Sequence, residues 1–320
     1  MRRKLQRACR SLLILPCVLF VMTGCQLFQP HALSWIENWS PKKVVSRVMP
    51  AKRSSLKKKV MVLPLIDQAK IGPTREARIT ENLKALLRQS PNLLVYDPPE
   101  SIALPKSDRF PELGLLNHPE LLKRAEYFGM DAVITGVLNP VEATSKKKGI
   151  WPFRKYRRIY NVSASVYVVD VNSKTFLLNH QESVQVDYPQ DEDEEDFDRK
   201  FDQDAFLDEA LQETIPQILK RQAKAIEERL ATEPWTGKIV SVENGTLTID
   251  GGSEVGIHPG RVLMVYGKGE AIRCKDGKTL ELLGNKIGRI KITSAAEREA
   301  IAKPLDEGAF LEGQVVRDIY

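Results

Sequence analysis

The chain has 320 residues, 42% of them hydrophobic and 28% charged. That length predicts about two domains, and the balance is that of an ordinary folded protein, which excludes wholesale disorder. The net charge of +6 owes five units to Arg2, Arg3, Lys4, Arg7 and Arg10. Without them the chain is near neutral and carries no global basic footprint for nucleic acid. No apolar run after residue 25 approaches the ~20 residues of a spanning helix, which excludes a polytopic membrane protein.

Those five cations precede the apolar stretch Leu12–Met22, interrupted by Pro16. A basic start followed by a short apolar segment reads as a secretory signal. It ends Val21-Met22-Thr23-Gly24-Cys25, where small residues suit an extended chain in a peptidase cleft and the Cys25 thiol accepts an acyl group. This resembles the lipobox of bacterial lipoproteins, with Met22 where Leu is usual. The resemblance implies cleavage between Gly24 and Cys25, lipid on Cys25 and, with Gln26 rather than Asp following, an outer-membrane lipoprotein facing the periplasm. Of Cys9, Cys17, Cys25 and Cys274, only Cys274 then keeps a free thiol, so no intrachain disulfide is expected.

Residues 25–57 read as a lipidated tether. Pro30, Pro41 and Pro50 interrupt it, and Lys42, Lys43, Arg47, Lys52, Arg53 and Lys57 continue into Lys58 and Lys59 as a basic cluster. It is either a flexible spacer or, with Trp35 and Trp39 on one face, a segment resting on anionic head groups at about 1 kcal/mol per cation.

An α/β domain is expected over 58–232. Val60–Leu65 is a short apolar run suited to a buried strand. Gly72-Pro73 turns the chain, Thr74 is a candidate cap, and Ile79, Leu83, Leu86 and Leu87 form a helical stripe. Leu93–Tyr96 reads as a second strand and residues 97–117 as loop. A helix from Pro119 carries the stripe Leu121, Leu122, Ala125 and Phe128, ending at Gly129. Ala132–Leu138 is a third strand. The segment Lys146–Arg158 then reads as a basic loop, with Trp151, Phe153 and Tyr156 among seven Lys or Arg. Ile159–Val171 and Phe176–Asp187 form two long strands around the turn Asn172–Thr175. An acidic tract, Asp191–Asp204, leads to a helix from about Asp204 to Leu230 in which Pro216 predicts a kink.

The texture changes at Glu233-Pro234. Short strand-like runs, 238–242, 246–249, 262–266 and 286–292, alternate with Asn244-Gly245, Gly251-Gly252 and Pro259-Gly260. Residues 233–320 therefore read as a small all-β, barrel-like domain, expected to fold by itself. The overall fold class is α+β: a mixed α/β domain followed by a small barrel.

Catalytic constellations are sought without success. His31, His118, His180 and His258 are scattered, so no metal site is expected. Gly277-Lys278-Thr279 ends like a phosphate loop, but Ile272 stands where its first glycine belongs. The acidic tract lacks the spacing of a calcium loop. No cofactor and no enzymatic activity are expected. The candidate interaction residues are Lys146, Lys147, Lys148, Arg154 and Arg157 of the basic loop and Asp191, Asp193 and Asp196 of the acidic tract. The loop is either a solvated charged surface or a contact to lipid, peptidoglycan or a neighbouring subunit's acidic tract.

Two stretches resemble known families. Val60–Leu65, the helix at 74–89, Leu94-Val95-Tyr96, Ala125–Gly136 and the hairpin turn Val169–Thr175 resemble the periplasmic domain of curli-secretion lipoproteins, related to the amino-terminal domain of TolB. Gly237–Val240, Gly252-Ser253-Glu254-Val255-Gly256-Ile257-His258-Pro259-Gly260 and Gly288–Ile292 resemble the carboxy-terminal domain of flagellar assembly protein T, with Arg261 where Asp is common. The pair implies a structural or assembly component of an envelope machine, such as a flagellar basal-body ring or secretion apparatus, with self-association or envelope proteins as partners. The alternatives are an oligomeric curli-type channel and an activator of a peptidoglycan synthase, the latter because related small lipoproteins act so. Cys25→Ser is expected to leave the protein soluble in the periplasm, which membrane fractionation checks: a mutant still sedimenting with outer membranes without a partner would remove the anchor.

Overall fold

The structure is a computed structural model, and it describes residues 55–99, 119–151, 155–189, 212–273 and 279–319. Its first element, β1 (Lys58–Val62), is buried along its whole length. Period-two alternation divides its side chains between two cores: Val60 and Val62 join one, Met61 and Leu63 the other. A strand apolar on both faces belongs inside a sheet, and β1 lies between β3 (Leu93–Tyr96) and β4 (Ala132–Leu138), parallel to both. The short β2 (Ile66–Asp67) also pairs with β4.

Helix α1 (Pro73–Arg88) buries Ile79, Leu83 and Leu87 in the first core. Thr74 does not cap it: Gly72 holds that place with Pro73 following, and the Gly72 N–H donates to the Asp67 carboxylate at 3.0 Å. Helix α2 (Pro119–Tyr127) covers the opposite face with Leu121, Leu122 and Ala125. Phe128, assigned to that stripe from its spacing, lies past the helix end and is half exposed, edge-on to Tyr127 at 5.5 Å. Helix α3 (Ile215–Thr232) packs beside α1 with Ile218, Leu219, Ile226 and Leu230. Pro216 occupies its first turn, where a missing N–H costs nothing; the helical residues 212 and 213 before it are set off by a turn at Thr214, and the expected start near Asp204 lies outside the described residues.

The long strand β6 (Lys155–Asp170) organises the other half of the sheet. One edge pairs antiparallel first with β4 and, further out, with β5 (Glu142–Lys148). The other edge pairs with β7 (Phe176–Pro189) from Val169 to Arg157. Strands β4 and β5 are thus two parts of one edge, broken at Asn139-Pro140-Val141, where proline withholds a ladder donor. Asn139 bridges the break by donating its amide to the Ser163 and Ser165 hydroxyls, each at 3.2 Å. The predicted basic loop is therefore a strand pair, with Lys146 opposite Arg157 and Lys148 opposite Lys155.

Residues 236–318 form a closed barrel in the order β10-β11-β12-β9-β8-β13, from β8 (Thr236–Glu243), β9 (Thr246–Ile249), β10 (Val262–Arg273), β11 (Thr279–Ala295), β12 (Ala300–Pro304) and β13 (Val315–Asp318). Residues 300–304 and 315–318 had no strand assigned from sequence, yet they supply two of the six staves. The Gly-rich run between β9 and β10 shapes the turns there. Gly256 and Gly260 turn at φ of 91° and 90°, which side chains resist. A Cβ at Gly252 would fall 2.3 Å from the Ala296 carbonyl oxygen.

Leu56 has a role the tether reading does not foresee. It is 1% exposed and packs inside the barrel core with Trp235, Ile257 and Leu263, and the Lys57 N–H donates to the Val255 carbonyl at 2.9 Å. A barrel expressed from residue 234 alone lacks this plug. Leu56→Ala is expected to lower stability by about 2–5 kcal/mol, read as a shifted denaturant midpoint; a change below about 0.5 kcal/mol would mean the plug contributes nothing.

Candidate functional site

Strands β5, β6 and β7 continue beyond the helices as a three-stranded ribbon. At its root, Tyr160 and Val162 are still buried in the first core, and Gln222 of α3 donates to the Ala164 carbonyl at 2.7 Å. Further out, the turn after β5 leaves Ile150 and Trp151 exposed at 85% and 78%, with Gly149 at φ 121°. In register Lys146 stands opposite Arg157, Lys147 opposite Tyr156 and Lys148 opposite Lys155.

Of the residues singled out in the sequence, Lys146, Lys147 and Lys148 lie on β5, and Arg157 lies on β6. Arg154 lies outside the described residues, as do Gly24, Cys25, Asp191, Asp193 and Asp196. The chain reaches Pro189 paired with Arg157, two residues before the acidic tract starts. Among the described histidines, His180 meets Glu182 at 2.9 Å on β7, beside Arg221 of α3 at 3.5 Å from the same carboxylate. His258 is exposed. Among the described residues no cluster of three or more His, Cys, Asp or Glu is placed to hold a metal, and no helix is long and apolar enough to cross a membrane.

A second polar cluster, which sequence reading missed, joins the sheet to the barrel. Lys58 and Lys59 belong to β1 and are buried, although in sequence they continue the basic run of the tether. Lys58 Nζ donates to the Pro234 carbonyl at 3.0 Å, and Lys59 Nζ pairs with Glu254 at 2.5 Å. The Tyr96 hydroxyl reaches the same carboxylate at 3.3 Å. Asp131, at the start of β4, accepts the Lys59 N–H at 2.7 Å. Arg261 forks onto Asp318 at 2.6 and 3.2 Å and also donates to Ser55. An Asp in its place would set two carboxylates together at this seam. No sequence pattern marked these pairs, because their members lie up to 206 residues apart.

Burial pushes the Asp131 carboxyl up to about 7, assisted by the negative charges of Asp170 and Asp250 and opposed by the Lys58 ammonium and the Lys59 N–H. Burial also lowers Lys58 below the ordinary lysine value. A folded-state carboxyl that holds its proton more tightly than the unfolded chain, where it titrates near ~4, stabilises the fold most at low pH. That contribution declines as pH rises from about 4 through 7.

No protein-family model matches the sequence, and no curated protein matches it. Among solved structures, the hypothetical protein CT253 from Chlamydia trachomatis is 16% identical, with 55% of this chain and 99% of that chain covered and a TM-score of 0.32. The PelC dodecamer from Paraburkholderia phytofirmans is 11% identical, covers 55% of this chain and 89% of that one, and scores 0.31. Lipoprotein GNA1162 from Neisseria meningitidis is 16% identical, covers 50% and 97%, and scores 0.26. Likeness at this level carries no argument about activity.

Asp131→Asn keeps an acceptor for the Lys59 N–H but removes the titration. Between pH 5 and 8 the wild-type melting temperature is expected to fall by several degrees more than that of the variant, since each tenfold difference in proton affinity between folded and unfolded chain is worth about 1.4 kcal/mol. Parallel pH profiles in thermal unfolding would dismiss Asp131 as the titrating group.

Proposed function

We propose that this chain is a non-enzymatic lipoprotein, anchored in the outer membrane through Cys25 and facing the periplasm. There it serves as a structural or assembly component of an envelope machine and docks through the β5–β7 ribbon. The observation that carries the reading is the ribbon itself: strands that run on past the core, with Lys146 in register with Arg157 and Lys148 with Lys155, and an exposed Ile150-Trp151 tip. Aromatic and cationic residues grouped outside a core suit an interface. The tract Asp191–Asp204 holds nine Asp or Glu and starts two residues after β7 ends at Pro189, so each subunit carries both signs of charge. Repeated from copy to copy, such a contact is head-to-tail, the kind that closes rings. The resemblances read in the sequence favour a flagellar basal-body ring or a secretion apparatus as the machine.

A curli-type channel is less well supported. Strand β5 has 7 residues, three of them Lys, whereas a membrane stave needs about 9–11 with an apolar outer face. An activator of a peptidoglycan synthase remains the alternative that capture of a synthase by a stable monomer would support.

Exposed ion pairs contribute about 0–1 kcal/mol each but steer association together. Reversing Lys146, Lys147 and Lys148 to Glu is expected to weaken self-association or partner docking about tenfold with the fold intact. Reversing Asp191, Asp193 and Asp196 to Lys in that background is expected to restore it. Sedimentation of the lipid-free chain, alone and with envelope extract, at low and high salt, reads both effects. A complex indifferent to salt and to charge reversal, or a chain that never associates, would end this reading.

A further inference from the structure

Beyond Tyr266, β10 runs on without β13 and pairs only with β11. The arm so formed stands off the barrel and faces the β6–β7 turn, enclosing a cleft of about 730 Å³. The charged groups that line or border this cleft are largely matched. Arg229 pairs with Glu233 at 2.5 Å and Lys238 with Glu126. Asp170 accepts the Ser173 N–H and hydroxyl at 2.6 and 2.8 Å and draws on the charge of Lys58.

Two cations of the cleft are left over. Lys268, on the arm, makes no ion pair among the described residues, and its ammonium lies beside Gly313. Arg317, on β13, has its Nε buried with no hydrogen-bond partner among the described residues, and it shares its surroundings with the like charge of Lys58. A guanidinium donor shut away from water and left unpaired is costly, and a buried polar group of this kind calls for a partner. Its planar fork matches a carboxylate or a phosphate.

Two features select between those. Asp170, Glu126 and Glu233 stand around the same space, and a dianion meets more of their repulsion than a monoanion does. Phe176, Leu282 and Leu283 line the cleft too, with both leucines exposed, so the space suits an organic body rather than a bare ion. We infer that this cleft binds an organic carboxylate, with the anion seated on Arg317 and Lys268 and the rest of the molecule against the leucine arm. The carboxylate comes from a sugar acid or from a peptide terminus.

The Arg317 Nε–H signal in a proton–nitrogen correlation spectrum of the lipid-free chain reads occupancy directly. It is followed during titration with glucuronate, N-acetylalanine, acetate and inorganic phosphate at matched ionic strength. Glucuronate or N-acetylalanine is expected to shift it saturably and more tightly than acetate, because only they reach the apolar wall. The tighter of the two names the source. Arg317→Lys, which keeps charge but loses the fork, is expected to bind about tenfold more weakly, a loss of about 1.4 kcal/mol. Lys268→Gln is expected to weaken binding several-fold. In Arg317→Gln, followed through the backbone amides of residues 172–175 and 313, saturable shifts are expected to vanish while the melting temperature stays near wild type. Tighter binding of phosphate than of either organic acid, shifts that only track ionic strength, or saturable shifts surviving in Arg317→Gln would each overturn the assignment.

Discussion

One short segment, Leu56 to Val62, ties the whole structure together. Leu56 plugs the barrel core, and β1, two residues later, is the central parallel strand of the sheet. The chain cannot form the sheet without delivering Leu56 to the barrel. Between these two apolar commitments lie Lys58 and Lys59, which must be buried because their neighbours on both sides are. Their ammonium groups are answered by Pro234, Glu254 and the carboxyl of Asp131. Breaking a buried pair leaves an uncompensated charge and costs far more than an exposed pair contributes. The polar seam thus follows from where β1 has to go.

The same logic shapes the projecting ribbon. Among the described residues, helices α1 and α3 cover the sheet as far as Tyr160 and Val162, and beyond them β5 and β6 carry Lys and Arg rather than apolar residues. With no core to bury, that part of the sheet is free to present charge. An exposed edge strand of 14 residues is a standing invitation to pairing, and β7 is such an edge. The Glu182–Arg221 contact to α3 partly covers the inner stretch of that edge.

Much of the fold was legible in the residues. The helical stripes of α1 and α3, the alternation in β6 and β7 and the Asn172–Thr175 turn are local patterns, set by side chains three, four or two positions apart. The positive-φ glycines at 256 and 260 were equally readable as turn chemistry. Strands β12 and β13 escaped because Ala300–Pro304 and Val315–Asp318 are short and include charged residues; only closure of the barrel makes them strands. The basic segment is legible in composition but reads as a loop, since Lys-rich sequence has low strand propensity. Pairing with the long β6, itself held by β4 and β7, overrides that preference.

Composition and periodicity by themselves determined the class of the chain: an α/β part, then a β-rich part, preceded by a lipobox-like start. They also located the opposite charges on either side of one hairpin. Tertiary structure alone decided which charged residues are buried and which are free. Lys58 and Lys59 left the basic run for the interior, Arg261 found Asp318, and the Arg317 Nε was left without a hydrogen-bond partner among the described residues. Sequence patterns report neighbours a few positions apart, whereas a side chain's dielectric surroundings and counter-charges depend on chain segments that meet only after folding.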